Sequence, residues 1–325
     1  MVEHVGSQEG QLVIGKVTSI VRLRINSDGA GVRSAVFLYG CPLNCLWCCN
    51  PETRFGQRYQ QITPMELYRL IQRDIPYFQE SKGGVTFSGG EPLMQHRFIL
   101  EFARIVQGAF SINIETSLYA PQAVITELAP LIDHWYVDFK GPSGLHREHT
   151  GVECLPIREN LAHLRSLLDP EKITLTFPLI PECTDTRQSV EELTDLASRL
   201  GIMEFELHPY RHTSVEKYQK MGLNFHQFQT LPEEHLRQVR SWLLSAGLRE
   251  RGAERVAERK KCRQLKQIRR TLVERFGIPL TIRECTYQGR CPGTCPACEK
   301  ELSGINRWLR EHNAGVGKET IYATD

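Results

Sequence analysis

The sequence predicts an α/β protein built around a partial (β/α)6 barrel of the TIM type, followed by a small cysteine-rich C-terminal module. Three observations lead to this fold. Six short apolar runs alternate with segments of helical periodicity, a pattern typical of parallel strands joined by right-handed crossovers. Six such units, rather than eight, predict a barrel that is open on one side. Cysteines and charged residues follow several of the strands, at the barrel end where such folds carry out their chemistry.

The individual elements follow from these periodicities. A weakly alternating segment, Leu12–Ile25, predicts one or two strands before the barrel. The predicted barrel strands are Ser34–Tyr39, Gly84–Phe87, Ser111–Glu115, Trp135–Phe139, Ile173–Ile180 and Glu204–His208. The predicted helices after them are Pro64–Phe78, His96–Gly108, Pro121–Ile132, Pro156–Leu168, Val190–Leu200 and Pro232–Ser245. Several of these helices begin with a proline near the first turn, where its missing N–H group is not needed.

Charge divides the chain unevenly. The whole sequence of 325 residues carries a net charge of +2, with 40 basic and 38 acidic residues. Residues 251–325 hold 16 of the basic and 9 of the acidic residues, which leaves 24 and 29 for residues 1–250. Such a shift in composition predicts a boundary near residue 250, between a core barrel and a C-terminal extension.

The composition also limits the cellular setting. No run of 18 apolar residues occurs, so the sequence predicts no transmembrane helix. The first residues lack the basic and apolar regions of a secretory signal, and we therefore expect a cytoplasmic protein with no membrane partner. Most of the 11 cysteines fall in two tight clusters, which favours metal sites over a disulfide framework.

The first cysteine cluster follows the first barrel strand at once. It has the form Cys41-x3-Cys45-x2-Cys48, with Cys49 adjacent. Three thiolates in a short loop can bind three irons of a [4Fe–4S] cubane and leave the fourth iron open for a substrate or cofactor. A structural zinc site is the alternative, but it usually has paired Cys-x2-4-Cys arms and four protein ligands. The spacing therefore favours a [4Fe–4S] cluster with one open iron.

The stretch around this motif, SDGAGVRSAVFLYGCPLNCLWCCNPET (27–53), resembles the radical S-adenosylmethionine (SAM) enzymes that activate glycyl radical enzymes, the pyruvate formate-lyase activase type. The resemblance extends over about residues 15–250. Its further motifs are VTFSGGEPLMQ (85–95), IETS (114–117), VDFK (137–140), HTG (149–151), FPLIPECTD (177–185) and HPYRH (208–212).

The resemblance implies a function. Reductive cleavage of SAM by the cluster would give a 5′-deoxyadenosyl radical, which takes hydrogen from a glycine of a partner glycyl radical enzyme. It also implies an electron donor of the flavodoxin or ferredoxin type.

The resemblance further assigns a SAM pocket to the strand ends. The stretch after the second barrel strand would bind the amino end of SAM, and residues after the third and fourth strands would lie near the ribose, a monovalent cation and SAM. These residues are Gly89, Gly90, Glu91, Glu115, Thr116, Asp138 and Lys140. Two glycines in a row also let the backbone approach a ligand closely. Glu115 departs from the family, which usually has Asp there.

Other departures concern the SAM carboxylate and the partner. Many relatives have an arginine where this chain has Thr176, and a histidine where it has Arg211. We expect Arg211 to bind the carboxylate instead, with a plain surface position as the alternative. By resemblance, Asp28 and Arg33 are candidate contacts for the glycine loop of the partner.

The extension has two parts. Residues 251–277 predict one long basic helix, which we expect to dock on the acidic barrel, since no RNA-binding motif or aromatic platform supports nucleic-acid binding. After it, Cys285-x5-Cys291-x3-Cys295-x2-Cys298 forms a complete ligand set for an auxiliary [4Fe–4S] cluster, with structural zinc as the alternative.

Two other functions compete with the activase interpretation. The tail spacing partly resembles the cysteine-rich tails of peptide-modifying radical SAM enzymes, so a peptide maturase that uses an auxiliary cluster is the enzymatic alternative. A non-enzymatic iron–sulfur or zinc-dependent binding protein is the third interpretation, and the complete set of SAM-pocket motifs argues against it.

Overall fold

The computed structural model describes residues 12–25, 27–251, 258–283 and 295–312, and within these ranges nine strands form one sheet. The strands are Gly15–Ile25 (β1), Val32–Leu38 (β2), Gln60–Ile62 (β3), Gly84–Gly89 (β4), Ser111–Thr116 (β5), His134–Asp138 (β6), Ile173–Leu179 (β7), Glu204–Pro209 (β8) and Arg249–Glu250 (β9). Their order across the sheet is β3-β1-β2-β4-β5-β6-β7-β8-β9. From β2 to β9 every neighbouring pair is parallel, whereas β1 is antiparallel to both β2 and β3.

Nine α-helices lie between the strands along the chain, and two more follow the last strand within the described ranges. They are Pro64–Ile71 (α1), Ile75–Ser81 (α2), His96–Val106 (α3), Gln122–Leu128 (α4), His146–Thr150 (α5), Leu155–Leu167 (α6), Arg187–Leu200 (α7), Val215–Met221 (α8), Glu233–Ser245 (α9), Glu258–Phe276 (α10) and Pro296–Glu311 (α11). The predicted partial barrel and all six of its predicted strands are confirmed, each strand to within two residues at either end.

Along each barrel strand, side chains alternate between the apolar face that forms the core and the polar inner face. In β5, Ile112 and Ile114 are buried in the main hydrophobic core beneath the helices, while Asn113 and Glu115 form polar hydrogen bonds on the other face. Because side chains of a strand alternate between its faces, the same pattern recurs in the neighbouring strands and lines the inner face with polar groups. The apolar outer face supplies the stability, since a fully buried large apolar side chain contributes about 1.5–3 kcal/mol.

One predicted helix is divided. The expected helix Pro64–Phe78 forms two helices, α1 and α2, separated by a 3-10 turn at Gln72–Asp74. Pro76 lies in the first turn of α2, and a proline at that position disfavours continuation of a helix from the preceding turn. The division also buries Asp74, whose carboxylate accepts hydrogen bonds from Arg22 at 2.5 and 2.7 Å.

The described part of the extension packs at the start of β2. Leu265 of α10 and Leu302 of α11 join Leu23, Val32 and Tyr77 in one buried cluster. Because β2 begins at Val32 and the first cysteine motif follows its other end, the extension lies at the barrel end opposite that motif. The division of the chain at residue 250 stays a prediction.

Several short elements were not predicted. β3, β9, α5 and α8 have from two to seven residues, too few to show a periodicity. α11 is different, because its buried Leu302, Ile305 and Leu309 recur at helical spacing and provided a signal that the sequence analysis missed. The basic helix predicted over residues 251–277 is confirmed from Glu258 to Phe276 (α10), whereas Arg251 is not helical and residues 252–257 lie outside the described residues.

Candidate active site

A cavity of about 360 Å³ opens at the carboxyl ends of the barrel strands. It brings together residues predicted from separate motifs that are as much as 170 residues apart in sequence. The predicted site residues that line it are Cys41, Cys45, Cys48, Gly89, Gly90, Glu91, Glu115, Thr116, Asp138, Lys140 and Arg211. Cys49 and Thr176 line it as well.

The cysteine loop is held by the C-terminal end of α5. The backbone N–H of Asn44 donates to the Thr150 carbonyl at 2.6 Å, and that of Leu46 donates to the His149 carbonyl at 3.0 Å. Gly151 follows with φ of +80°, and a Cβ there would lie 3.2 Å from the Cβ of Asn44. The His149–Gly151 motif therefore acts as a backbone support for the cysteine loop.

The three cysteines of this loop fit a cubane. Burial raises the pKa of the Cys41 thiol to about 12 and also raises the pKa values of Cys45 and Cys48. A bound metal centre offsets this cost, because thiolates bind metals as anions. No three Cys, His, Asp or Glu side chains of the described ranges converge on a single ion position. A cubane does not require such convergence, since each thiolate binds a different iron.

The two glycines after β4 allow close backbone packing against the cysteine loop. Gly89 has φ of +112°, and a Cβ there would lie 2.5 Å from the Leu38 nitrogen. A Cβ on Gly90 would lie 2.0 Å from the carbonyl oxygen of Gly40, the residue before the first cysteine. The Glu91 N–H donates to the same Gly40 carbonyl at 2.7 Å, so the glycine turn and the cysteine loop form one backbone unit.

The Glu91 carboxylate holds a neighbouring turn together. One of its oxygens accepts hydrogen bonds from the Leu93 N–H at 3.1 Å and from Thr116 Oγ1 at 2.6 Å. The other oxygen accepts from the Ser117 N–H at 2.8 Å and from Ser117 Oγ at 2.5 Å. This is a correction to the predicted role, because a buried carboxylate with these four donors is not free to bind the amino end of SAM. The Glu91 carboxylate instead positions the turn beside the cavity, and the predicted place of Thr116 near the ribose stays a prediction.

The acidic residues near the ends of β5 and β6 have pKa values that are shifted in opposite directions. Burial, together with nearby Asp28, raises the pKa of Glu115 to about 7, although Ser88 Oγ donates to its carboxylate at 2.6 Å. Burial also disfavours the charged form of Asp138, but Lys140, 2.7 Å away, and the Thr176 hydroxyl outweigh it and hold the pKa of Asp138 below its ordinary value.

Thr176 therefore has a defined task. It donates to Asp138 from the strand position where many relatives are expected to have arginine. This hydrogen bond is the role that the structure shows for Thr176. Arg211 lies exposed at the rim of the same cavity, so its predicted contact with the carboxylate stays a prediction.

His208 is a site residue that the sequence analysis did not single out. Its Nε2 lies 3.3 Å from a Glu206 carboxylate oxygen, and the ring lines the cavity. Burial lowers the pKa of His208, but Glu206, Glu115 and Asp138 together raise it above its usual value. The signal was available, since His208 opens the HPYRH motif at the end of β8.

Arg33 and Asp28 do not line the cavity. The Arg33 side chain is buried and donates to Thr86 Oγ1 at 2.7 Å, to Ser111 Oγ at 2.8 Å and to the Val85 carbonyl at 2.5 Å. Asp28 is also buried and is paired with Arg24. Their predicted contact with a partner peptide is thus corrected, because both side chains are enclosed by their own chain.

The tail cysteines are only partly described. Cys285 and Cys291 lie outside the described residues. Cys295 caps the start of α11, and Cys298 is buried one turn later and accepts a hydrogen bond from Arg269 Nη2 at 3.3 Å. Cys295 and Cys262 both interact electrostatically with the Cys298 thiol, and burial raises its pKa to about 12.

Comparison with known proteins agrees with this site. A family model described as a 4Fe-4S single cluster domain matches residues 27–135. The pyruvate formate-lyase 2-activating enzyme of Escherichia coli is 31% identical over 241 residues, which cover 64% of this chain and 82% of that protein. The pyruvate formate-lyase-activating enzyme of Clostridium pasteurianum is 28% identical, with 66% of this chain and 90% of that protein covered.

A solved structure supports the fold. Streptococcus suis SuiB bound to S-adenosylmethionine matches 66% of this chain and 49% of its own chain, with a TM-score of 0.51 and 14% identity. Within the described ranges, no helix is long and apolar enough to span a membrane. With the relatives, the cysteine loop and the partial barrel in agreement, the chain belongs to the radical SAM activating enzymes of glycyl radical enzymes.

Proposed function

We propose that this enzyme, with a [4Fe–4S] cluster and SAM, takes a hydrogen atom from a glycine of a partner glycyl radical enzyme. The observation that carries the proposal is the shared cavity, where the three thiols of the cysteine loop meet the groups at the ends of β4, β5, β6 and β8. Its volume of about 360 Å³ suits a small-molecule cofactor. When bound, the cluster supplies the electron for the reductive cleavage of SAM.

The residues of the cavity have separate tasks in this proposal. Cys41, Cys45 and Cys48 ligate the cluster, and the backbone of Gly89 and Gly90 binds the amino end of SAM. Glycine suits this role because no Cβ holds the ligand away from the backbone.

The charged groups complete the pocket. Glu115 and Asp138 lie near the ribose and a monovalent cation, with Lys140 and Thr176 fixing the Asp138 carboxylate. Arg211 binds the SAM carboxylate from the rim, where its planar guanidinium can form a bidentate pair.

The substrate is a protein in this proposal. The relatives include enzymes named as activators of 4-hydroxyphenylacetate decarboxylase in Clostridioides difficile and of isethionate sulfite-lyase in Oleidesulfovibrio alaskensis. We infer that this chain likewise acts on a large glycyl radical enzyme, and that a flavodoxin- or ferredoxin-type protein donates the electron.

Deuterium transfer tests this function directly. The full chain is reconstituted anaerobically with iron and sulfide and mixed with SAM, a reductant and a candidate glycyl radical enzyme carrying deuterated glycine. We expect methionine, a glycine-centred radical in the EPR spectrum, and one deuterium in the 5′-deoxyadenosine formed. SAM cleavage without deuterium transfer, together with modification of a short precursor peptide, would favour the peptide maturase instead.

The position of the extension bears on that alternative. Arg22 at the base of the barrel donates to Glu299 of α11 at 2.9 Å, and Asn306 donates to the Arg73 carbonyl at 2.9 Å. Strand β2 runs from this end of the barrel to the cysteine loop and is about 20 Å long. A metal bound at Cys298 would thus lie too far from the substrate cavity to contact a peptide in it. An auxiliary cluster that contacts a substrate peptide is therefore disfavoured.

We assign a structural metal to the extension of residues 251–325. Cys285, Cys291, Cys295 and Cys298 are its proposed ligands, with an iron–sulfur cluster and zinc as the two candidates. Metal analysis of the full chain separates them. About eight irons after reconstitution indicate a second cubane, about four irons with one zinc indicate a zinc site, and four irons alone would remove the assignment.

A further inference from the structure

Helix α8 lies over the cysteine loop and bonds to three successive residues of it. Lys217 Nζ donates to the Cys49 carbonyl at 3.0 Å and to Asn50 Oδ1 at 3.3 Å. The neighbouring Tyr218 hydroxyl donates to the Cys48 carbonyl at 3.2 Å. Cys48 is the last predicted cluster ligand, so α8 holds the loop at the point where it leaves the cluster.

The Lys217 contact also orients the amide of Asn50. With Oδ1 accepting from Lys217, Nδ2 of Asn50 is directed at the Gly89 carbonyl, 3.5 Å away. Gly89 belongs to the turn that we assign to the amino end of SAM, and Asn50 itself lines the cavity. A continuous set of polar contacts thus joins α8, the cysteine loop and the glycine turn.

Lys217 is the cationic residue among these polar contacts. Its Nζ lies 2.5 Å from a Glu52 carboxylate oxygen, and its side chain is 40% exposed. Its Nζ also donates to the carbonyl of Cys49, the residue after the last cysteine ligand of the loop, so its positive charge lies beside the loop backbone.

We propose that Lys217 is a positioning residue that sets both the reduction potential of the cluster and the affinity for SAM. The proposal rests on the proposed function only in its assignment of the cluster and of SAM to the cavity. Reduction adds one electron to the cluster, and a nearby cation favours that step. The Asn50 contact adds a second effect, because a misplaced amide disturbs the glycine turn.

Matched variants on α8 test this. Lys217→Met removes the charge and the donor, whereas Lys217→Arg keeps the charge. Lys220→Met is the control, because Lys220 lies one turn later with a side chain that is 78% exposed and paired with Glu216. Full-length reconstituted proteins are titrated anaerobically, and the reduced cluster is followed by EPR with and without SAM.

We expect the reduced-to-oxidised ratio of Lys217→Met at a fixed potential to fall about fivefold, and its affinity for SAM to fall about tenfold. Lys217→Arg should retain most of the potential, and Lys220→Met should match the unmodified protein in both measurements. Adding Glu52→Gln to Lys217→Met balances the charge and should restore the potential but not the affinity for SAM.

Two results would overturn the assignment of Lys217. One is an unchanged potential in Lys217→Met, and the other is an equal shift in Lys220→Met. If Lys217→Met alone loses its cluster, the test moves to Lys217→Gln, which keeps a hydrogen-bond donor without the charge, and an unchanged potential in that variant also counts against the assignment. Failure of the proposed function would be distinguishable from failure of the Lys217 assignment. The unmodified protein would then transfer no deuterium, whatever the reduction potential of its cluster.

Discussion

Arg269 offers the sharpest test of how the extension is held on the barrel. Its guanidinium is fully buried and donates to the Tyr77 hydroxyl at 2.5 Å, to Glu301 at 2.9 Å and to the Cys298 sulfur at 3.3 Å. Tyr77 belongs to α2 of the barrel, whereas the other two partners belong to α11. One side chain therefore joins three helices from two parts of the chain.

The magnitude follows from these contacts. Arg269→Met keeps much of the apolar volume but leaves Glu301 as a largely buried carboxylate without its partner. Removing one partner of a buried ion pair costs about 3–5 kcal/mol. This figure already includes the lost charged hydrogen bonds, each of which contributes about 1.5–3 kcal/mol. We expect the free energy of unfolding of the extension to fall by about 3 kcal/mol.

Arg275→Met provides the control on the same helix. Arg275 is 55% exposed and pairs at 2.6 Å with Glu80, whose side chain is 14% exposed. Because solvent screens the exposed Arg275 guanidinium, we expect Arg275→Met to cost less stability than the loss of the fully buried Arg269. Urea unfolding followed by circular dichroism, with hydrogen exchange of the α10 amides, measures both variants. If Arg269→Met loses no more stability than Arg275→Met, the reasoning about the buried guanidinium is refuted.

Three further predictions concern the cavity. Cys41→Ala, Cys45→Ala and Cys48→Ala should each abolish SAM cleavage, measured as methionine release. Cys49→Ala should retain it. Arg211→Ala should weaken SAM binding by about 1.5–3 kcal/mol in equilibrium titration, and an unchanged affinity would return Arg211 to a surface role. Gly90→Ala should reduce the iron content after reconstitution, because its Cβ would meet the Gly40 carbonyl oxygen at 2.0 Å, and full iron retention would contradict that steric argument.

The sequence alone determined the barrel strands and predicted the cysteine ligands at their carboxyl ends. The strand pattern depends on local alternation of apolar residues, and each barrel strand carries enough of them to be recognised. The cysteine spacing depends on covalent connectivity within one short loop, so Cys41, Cys45 and Cys48 needed no tertiary information. The predicted SAM-pocket residues at the ends of β4, β5 and β6 came from motifs that resemble those of the family, and they lie together because the carboxyl ends of parallel strands meet at one end of the barrel.

Only the tertiary structure decided what those side chains do. Glu91 and Arg33 are charged residues in family motifs, and nothing in the local sequence reveals that four donors surround one and that neighbouring strands enclose the other. Lys217 lies 168 residues from the Cys49 carbonyl that it contacts, and Arg269 lies 192 residues from Tyr77. Hydrogen bonds between such distant residues depend on how helices pack on the barrel, and that packing leaves no periodic trace in the sequence.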